Sequence, residues 1–343
     1  MHGDPEIDMA PPTAIHPGRS DVMKQLEGAV AEKLDGLKPV RHQWQPSDLL
    51  PDLAAEDWRE RVQALRAAAQ GLSDEVLVVL VGDTITEEAL PSYLAALNRQ
   101  HGLLDKTGDA DNPWARWSRW WTAEENRHGD VLTRFLYLSG RVNMREMEIS
   151  TQYLLRNGMN MMEGRDPYKT FVYTAFQERA TKISHTNCGR LAEAAGTSAL
   201  RKICYSIATD EGQHESAYKL FMKKIFELDP AEALLAFRDI MKLKISMPAR
   251  LMDGEGERAL FDPYAVTAER IGVYTALDYA KILEHLVGHW GVADLPGVTG
   301  EAAAAQDYLC GLAPRLLKMA ERYQSRKRAR PKAKFSWIFE RVA

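Results

Sequence analysis

Glu125-Asn126-Arg127-His128 and Glu211-Gly212-Gln213-His214 both read Glu-x-x-His. On a helix a three-residue step puts carboxylate and imidazole on one face, a turn apart. Two such helices facing each other, each joined by a helix carrying one further Glu, make the carboxylate-bridged two-metal site of a four-helix bundle. With iron in it, such a site reduces dioxygen. A lone Glu-x-x-His carries little information, since chance supplies about one in a chain of this length. Here only two of the nine histidines have Glu three residues before them, and both lie in stretches with helical patterning.

The same chemistry requires one glutamate ahead of each motif. Glu87 and Glu88 are the first candidates, in Asp83-Thr84-Ile85-Thr86-Glu87-Glu88-Ala89-Leu90-Pro91. Pro91 has no N–H for the carbonyl of Glu87, so a local kink is expected there. Glu178 is the second; on its own it would read as a solvated glutamate paired with Arg179 or Lys182. The resulting order is Glu87, Glu125/His128, Glu178, Glu211/His214. Oxygen and nitrogen donors without thiolate suit iron or manganese.

The elements that must position these groups are helical. Helical periodicity runs through 21–37, 56–70, 74–81, 84–99, 114–138, 144–157, 168–195, 198–227, 230–245, 266–287 and 302–328, with turns expected at Gly82-Asp83 and at Asp229-Pro230. No alternation of strand type is sustained through the helical region. Helices of about 25 residues with short connections argue for an all-α bundle around one core, with additional helices beyond it. Residues 1–20 are Pro-rich and polar and read as a flexible segment, leaving 21–343 as one domain. The closing Phe335-Ser336-Trp337-Ile338-Phe339 could pair as a hairpin or pack as a tail.

Composition agrees. The 343 residues are 45% apolar and 27% charged, with net charge −4. That balance is globular and lacks the basic footprint of a nucleic-acid binder. No apolar run approaches the ~20 residues of a membrane helix, so no membrane insertion is expected, and Val76–Val81 reads as a buried helix face. Cys188, Cys204 and Cys310 lack CxxC spacing and read as small buried residues in a reducing compartment. His285 and His289 are spaced like half a zinc site but have no third ligand nearby, and read as a helix surface or interface. His185 reads as a packed or hydrogen-bonded residue. Trp114, Trp117 and Trp120 read as core, while Trp121, one turn before Glu125, could line the site.

Several longer phrases resemble the soluble acyl-acyl-carrier-protein (acyl-ACP) desaturases of plant plastids, the stearoyl-ACP Δ9-desaturase family. They are Val81 to Pro91, Trp121 to Asp130, Leu136 to Val142, Phe176 to Thr181, Lys244 to Ala249, Gly272 to Ala276 and Phe335 to Phe339. The resemblance runs from about Leu37 to the end. It implies a ferritin-like di-iron bundle with two iron ions held by Glu87, Glu125, His128, Glu178, Glu211 and His214, with Glu125 and Glu211 bridging. It implies that His128 bonds to Asp210 and through it connects to Trp44 as an electron entry line. Thr181 would assist proton delivery on the oxygen side, and Trp121 would lie near the irons. Ala96, Leu97, Met161, Thr170 and Phe171 are candidates for the acyl channel.

The implied activity is insertion of a cis double bond into an acyl chain on ACP, with Δ9 of stearoyl-ACP as the expected product, in fatty acid biosynthesis. Dioxygen and two electrons from reduced ferredoxin are consumed. A homodimer in the plastid stroma is implied, with a bacterial cytoplasm as the alternative location. Positions 212 and 213, commonly basic in that family, are Gly and Gln here, which leaves Lys38, Arg41, Lys242 and Lys244 as basic candidates for docking acidic ACP. A ferritin-like ferroxidase shares the ligand order, but its chain is about half as long. A ribonucleotide reductase small subunit usually has Asp first and a radical Tyr nearby, whereas here position 87 is Glu and Tyr137 lies more than two turns past His128. A bare structural bundle is the remaining alternative.

Overall fold

The computed structural model describes residues 17–343 apart from 101, 104, 160–163, 255–258 and 326–330. Fourteen α-helices are assigned among the described residues: α1 (Pro17–Gln25), α2 (Glu27–Asp35), α3 (Pro46–Leu49), α4 (Trp58–Ala69), α5 (Asp74–Glu87), α6 (Leu90–Asn98), α7 (Pro113–Ser139), α8 (Met144–Asn157), α9 (Pro167–Ala194), α10 (Ser198–Leu228), α11 (Pro230–Leu243), α12 (Phe261–Arg270), α13 (Ala276–His289) and α14 (Gly300–Ser325). The all-α class expected from the periodicity is the observed one.

Four helices, α5, α7, α9 and α10, form the central bundle, with α9 and α10 in the most extensive contact. Their ends follow from local chemistry. Asn112 caps α7 by accepting from the Ala115 N–H, Pro113 opens the helix, and Gly140 closes it at φ 65°. Asp166 caps α9 by accepting from the N–H groups of Tyr168 and Lys169. Along α7, α9 and α10 the burial pattern is layered. Trp114, Trp117, Phe171, Tyr218 and Phe221 belong to one apolar cluster. Val78, Val81, Phe135, Ile203 and Ile207 belong to a second. The buried acids and histidines of α7 and α10 occupy the helix turns between them.

The expected turn at Gly82-Asp83 is absent, and α5 continues to Glu87. Gly82 lies under the ring of Tyr264; a Cβ there would be 2.1 Å from Tyr264 Cε2. The glycine is a packing contact rather than a breaker. The interruption falls instead after Glu87, and the chain restarts as α6 at Leu90. That is where the missing N–H of Pro91 places it. The helix expected over 266–287 is two helices, separated by Gly272 at φ 75° and restarted by a capping box of Thr275 and Asp278.

The expected flexible segment 1–20 is corrected in part. Residues 17–20 begin α1, because Arg19 pairs with Asp166 and, at 2.7 Å, with Glu232; residues 1–16 lie outside the described residues. At the far end both readings of the aromatic run hold. Lys334–Phe335 pairs antiparallel with Arg341–Val342, and Trp337 is buried, its indole N–H donating to Ser150 Oγ at 2.9 Å.

Candidate metal centre

The structure brings together all six residues singled out by spacing. Glu87 closes α5, Glu125 and His128 lie mid-way along α7, Glu178 lies on α9, and Glu211 and His214 on α10; all are buried. They form two sets, Glu87/Glu125/His128/Glu211 and Glu125/Glu178/Glu211/His214, and within each set the potential ligand atoms lie within 4.8 Å of one another. Glu125 and Glu211 belong to both. Glu125 Oε2 is 3.2 Å from His128 Nδ1, and its Oε1 is 2.8 Å from His214 Nδ1. Glu211 divides its oxygens likewise, Oε1 at 3.5 Å from His128 Nδ1 and Oε2 at 3.9 Å from His214 Nδ1. Each lobe is completed by one unshared carboxylate. Glu87 Oε2 is 3.7 Å from His128 Nδ1, and Glu178 Oε2 is 3.3 Å from His214 Nδ1.

The electrostatics favour positive charge at this site. Burial opposes charge on both imidazoles, but the surrounding carboxylates outweigh it and push His128 and His214 well above the usual histidine range. Burial likewise opposes ionisation of Glu125, yet the two imidazoles hold it well below the usual carboxylate range. Burial pushes Glu178 up. Protons on nitrogen thus do what cations would do. Glu211 Oε1 and His214 Nδ1 make no well-angled hydrogen bond among the described residues, although Glu125 Oε1 stands 2.8 Å from that nitrogen. Buried polar atoms left this way are the expected signature of a coordination position. Four carboxylates and two imidazoles without thiolate suit hard or borderline divalent metals.

One wall of this cluster is open to a cavity of about 680 Å³, counted with its mouth. Glu87, Glu125, Glu178 and Glu211 face it, together with Ala96, Leu97, Trp121, Thr170, Thr181 and Met247.

A fatty acid desaturase family profile matches residues 18–339. The chain belongs to that family. A chloroplastic stearoyl-[acyl-carrier-protein] 9-desaturase of Carthamus tinctorius is 49% identical over 351 residues, covering 98% of this chain and 89% of the relative. The Spinacia oleracea protein of the same name is 51% identical over 322 residues, covering 94% and 81%. The X-ray structure of a Mycobacterium tuberculosis H37Rv protein assigned as an acyl-ACP desaturase superposes with TM-score 0.50 at 18% identity, covering 80% of this chain and 97% of that one, and shares the fold.

In this desaturase each imidazole is oriented by the other motif. His128 Nε2 lies 3.3 Å from Asp210 Oδ2, and His214 Nε2 lies 3.1 Å from Glu124 Oε2. An ionised carboxylate only accepts, so these contacts place the hydrogens on Nε2 and leave both Nδ1 atoms for a metal. Arg127 Nη2 joins the two outer acids, at 2.9 Å from Glu124 Oε1 and 3.1 Å from Asp210 Oδ2. The Trp44 indole N–H donates to Asp210 Oδ2 at 2.8 Å, and its ring stacks near-parallel to His128. The half-buried Trp44 thus meets His128 both by stacking and through the shared Asp210 Oδ2. Glu124 was not anticipated, although an acid directly before each Glu-x-x-His was the available signal.

The Trp121 indole N–H donates to Glu178 Oε1 at 3.0 Å. Thr181 sits on the cavity wall one turn from Glu178, its hydroxyl donating to the backbone oxygens of Gln177 and Glu178. Of the expected channel residues, Ala96, Leu97 and Thr170 line the cavity. Phe171 does not; it points the other way on α9 and packs on Trp114 and Phe221. Met161 lies outside the described residues. Lys38 and Arg41 are exposed in the segment leading to Trp44, while Lys242 and Lys244 are exposed at the end of α11, beside Met247 of the cavity wall. Tyr137 is 70% exposed, remote in character from a buried radical site.

His285 and His289 join no metal-capable cluster among the described residues. His285 instead faces Lys219 at 3.0 Å and Glu215 at 3.5 Å. Glu215, 2% exposed, also meets Lys219 at 2.8 Å, Arg179 at 2.7 Å and Lys182 at 3.3 Å. Burial opposes its charge, but Lys219 and Arg179 outweigh it and hold its pKa down to about 2. A depressed carboxylate contributes stability above its ordinary value of 4.5 and loses it as pH falls toward the folded value. Glu215→Gln is therefore expected to cost about 2 kcal/mol at pH 7, discounted for the water around Arg179 and Lys182. The loss should shrink between pH 4.5 and 2. Thermal denaturation of the two proteins across that range checks it; a cost independent of pH would show that the charge is not the cause.

Proposed function

We propose that this chain is an acyl-ACP desaturase that introduces a cis double bond, at Δ9 when the substrate is stearoyl-ACP. The observation that carries the proposal is the pair of carboxylate–imidazole lobes sharing Glu125 and Glu211 at the wall of a largely apolar cavity. Two iron ions would be held by Glu87, Glu125 and His128 on one side and by Glu178, Glu211 and His214 on the other, with Glu125 and Glu211 between them. Iron in such a site supplies dioxygen reduction and removal of hydrogen from an unactivated methylene.

The balance is simple. A –CH2–CH2– unit loses two hydrogens, dioxygen takes four electrons, and two of those come with two protons from outside; the products are –CH=CH– and two waters. The protein's own part is alignment and exclusion of water. The cavity residues hold the chain so that one pair of methylenes faces the carboxylates, and position along the cavity selects the bond. Thr181, one turn from Glu178 on the wall, would pass protons. Asp210 and Trp44, both in contact with His128, would offer the route by which ferredoxin delivers electrons. The exposed Lys38, Arg41, Lys242 and Lys244 suit an acidic carrier protein. The chloroplastic names of the relatives support a plastid location; a homodimer belongs to the same proposal. The ferroxidase alternative is not favoured, because near-full-length relatives carry desaturase names.

The test is incubation with C14, C16 and C18 acyl-ACPs, ferredoxin and its reductase, with double bonds located by mass spectrometry. Absence of unsaturated product from all three defeats the reading. Ala96→Phe fills part of the cavity and should lower kcat/KM for the longest accepted chain at least ~10-fold relative to a chain two carbons shorter. An unchanged ratio would place the acyl chain elsewhere.

A further inference from the structure

The two unshared carboxylates, Glu87 and Glu178, are supported differently. Glu178 sits inside a continuous helix, flanked by turns of α9 on both sides. Glu87 is the last residue of α5, with the break before Leu90 directly after it. A carboxylate at a helix end has less to fix its backbone, yet metal binding demands placement to within about 0.5 Å. Something else must hold it.

Behind Glu87 stands His185, 1% exposed, with Nε2 2.9 Å from Glu87 Oε1. An ionised Glu87 can only accept, so the ring hydrogen lies on Nε2. The contact mirrors the Trp121 indole on Glu178 Oε1. Each unshared carboxylate thus has Oε1 held by a ring N–H and Oε2 turned toward the Nδ1 of its own lobe. The neighbouring Ser184 strengthens the grip: its hydroxyl contacts Asp83 Oδ2 at 3.1 Å, one turn before Glu87 on α5. Consecutive residues of α9 therefore hold two acids spaced i, i+4 on the last turn of α5. Tyr264 completes the arrangement, its ring over Gly82 and its hydroxyl 3.2 Å from Asp83 Oδ1.

We propose that His185 is a positioning residue for Glu87, doing for the first lobe what Trp121 does for the second, so that its loss loosens one metal position and spares the other. The inference rests on the two-metal reading above, and unaltered protein that binds no Fe2+ would defeat that reading first. The experiment is anaerobic Fe2+ titration of the full chain, with Mössbauer spectra of the loaded protein and circular dichroism as a folding control. His185→Asn is too short to reach Glu87, and should weaken one ion about 10- to 100-fold while the other stays within about threefold. His185→Gln restores an N–H donor at greater reach and should recover most of that loss. Trp121→Phe should weaken the opposite ion and alter the other Mössbauer component. Wild-type affinity for both ions in His185→Asn overturns the proposal, and so does equal weakening of both, which would mean general loosening of the bundle.

Discussion

Replacing Glu125 with alanine should remove both metals, not one. Its two oxygens face different imidazoles, at 3.2 Å and 2.8 Å, so no metal position is complete without it. Loss of an outer partner of a metal ligand costs about 10- to 100-fold in affinity, and loss of a shared ligand should exceed the upper figure at both positions. Glu178→Ala, by contrast, should empty the His214 side and leave the His128 side measurable. Helix content should survive in both variants, because α7 and α9 are held by the apolar layers above and below the polar one. Metal analysis after anaerobic Fe2+ loading, with circular dichroism in parallel, gives the answer. Two ions per chain in Glu125→Ala would mean that the shared role is assigned to the wrong residue.

Metal binding should also produce a large, pH-dependent gain in stability. Free metal at about 100 times Kd adds ~2.7 kcal/mol per position, so two positions add roughly 5 kcal/mol. In a chain of this size that raises Tm by roughly 5–10 °C. Without metal the carboxylates raise the pKa of His128 and His214, so a metal must displace protons to bind. The Tm gain should accordingly be larger at pH 8 than at pH 6. Calorimetry with and without Fe2+ or Mn2+ at the two pH values measures it. A gain that is absent, or larger at pH 6, would contradict competition between proton and metal at these nitrogens.

Much of this site could be read from the chain alone because its candidate ligands come in local packets. A three-residue step on a long helix fixes Glu125 with His128 and Glu211 with His214, and helices α7 and α10 extend within two residues of their expected ends. What escaped depends on contacts between distant segments. Gly82 looked like a turn because its partner, Tyr264, lies 182 positions along the chain. Glu124 looked like one acid in an acidic pair until α10 placed His214 against it. Phe171 shares a helix with Thr170 but points to the opposite side, and a single residue on a helix turns the side chain by about 100°. His185 carried no spacing signal toward Glu87, since 98 residues separate them.

The crosswise arrangement of Asp210 on His128 and Glu124 on His214 makes neither motif self-sufficient. A half-length fragment carrying one Glu-x-x-His would present an imidazole whose outer nitrogen has no acceptor, free to rotate and to bind through the wrong atom. Only a second such fragment, laid antiparallel against it, would restore the missing acid. Expressed as two pieces divided between α8 and α9, this protein should therefore gain its metal chemistry only when the pieces find each other.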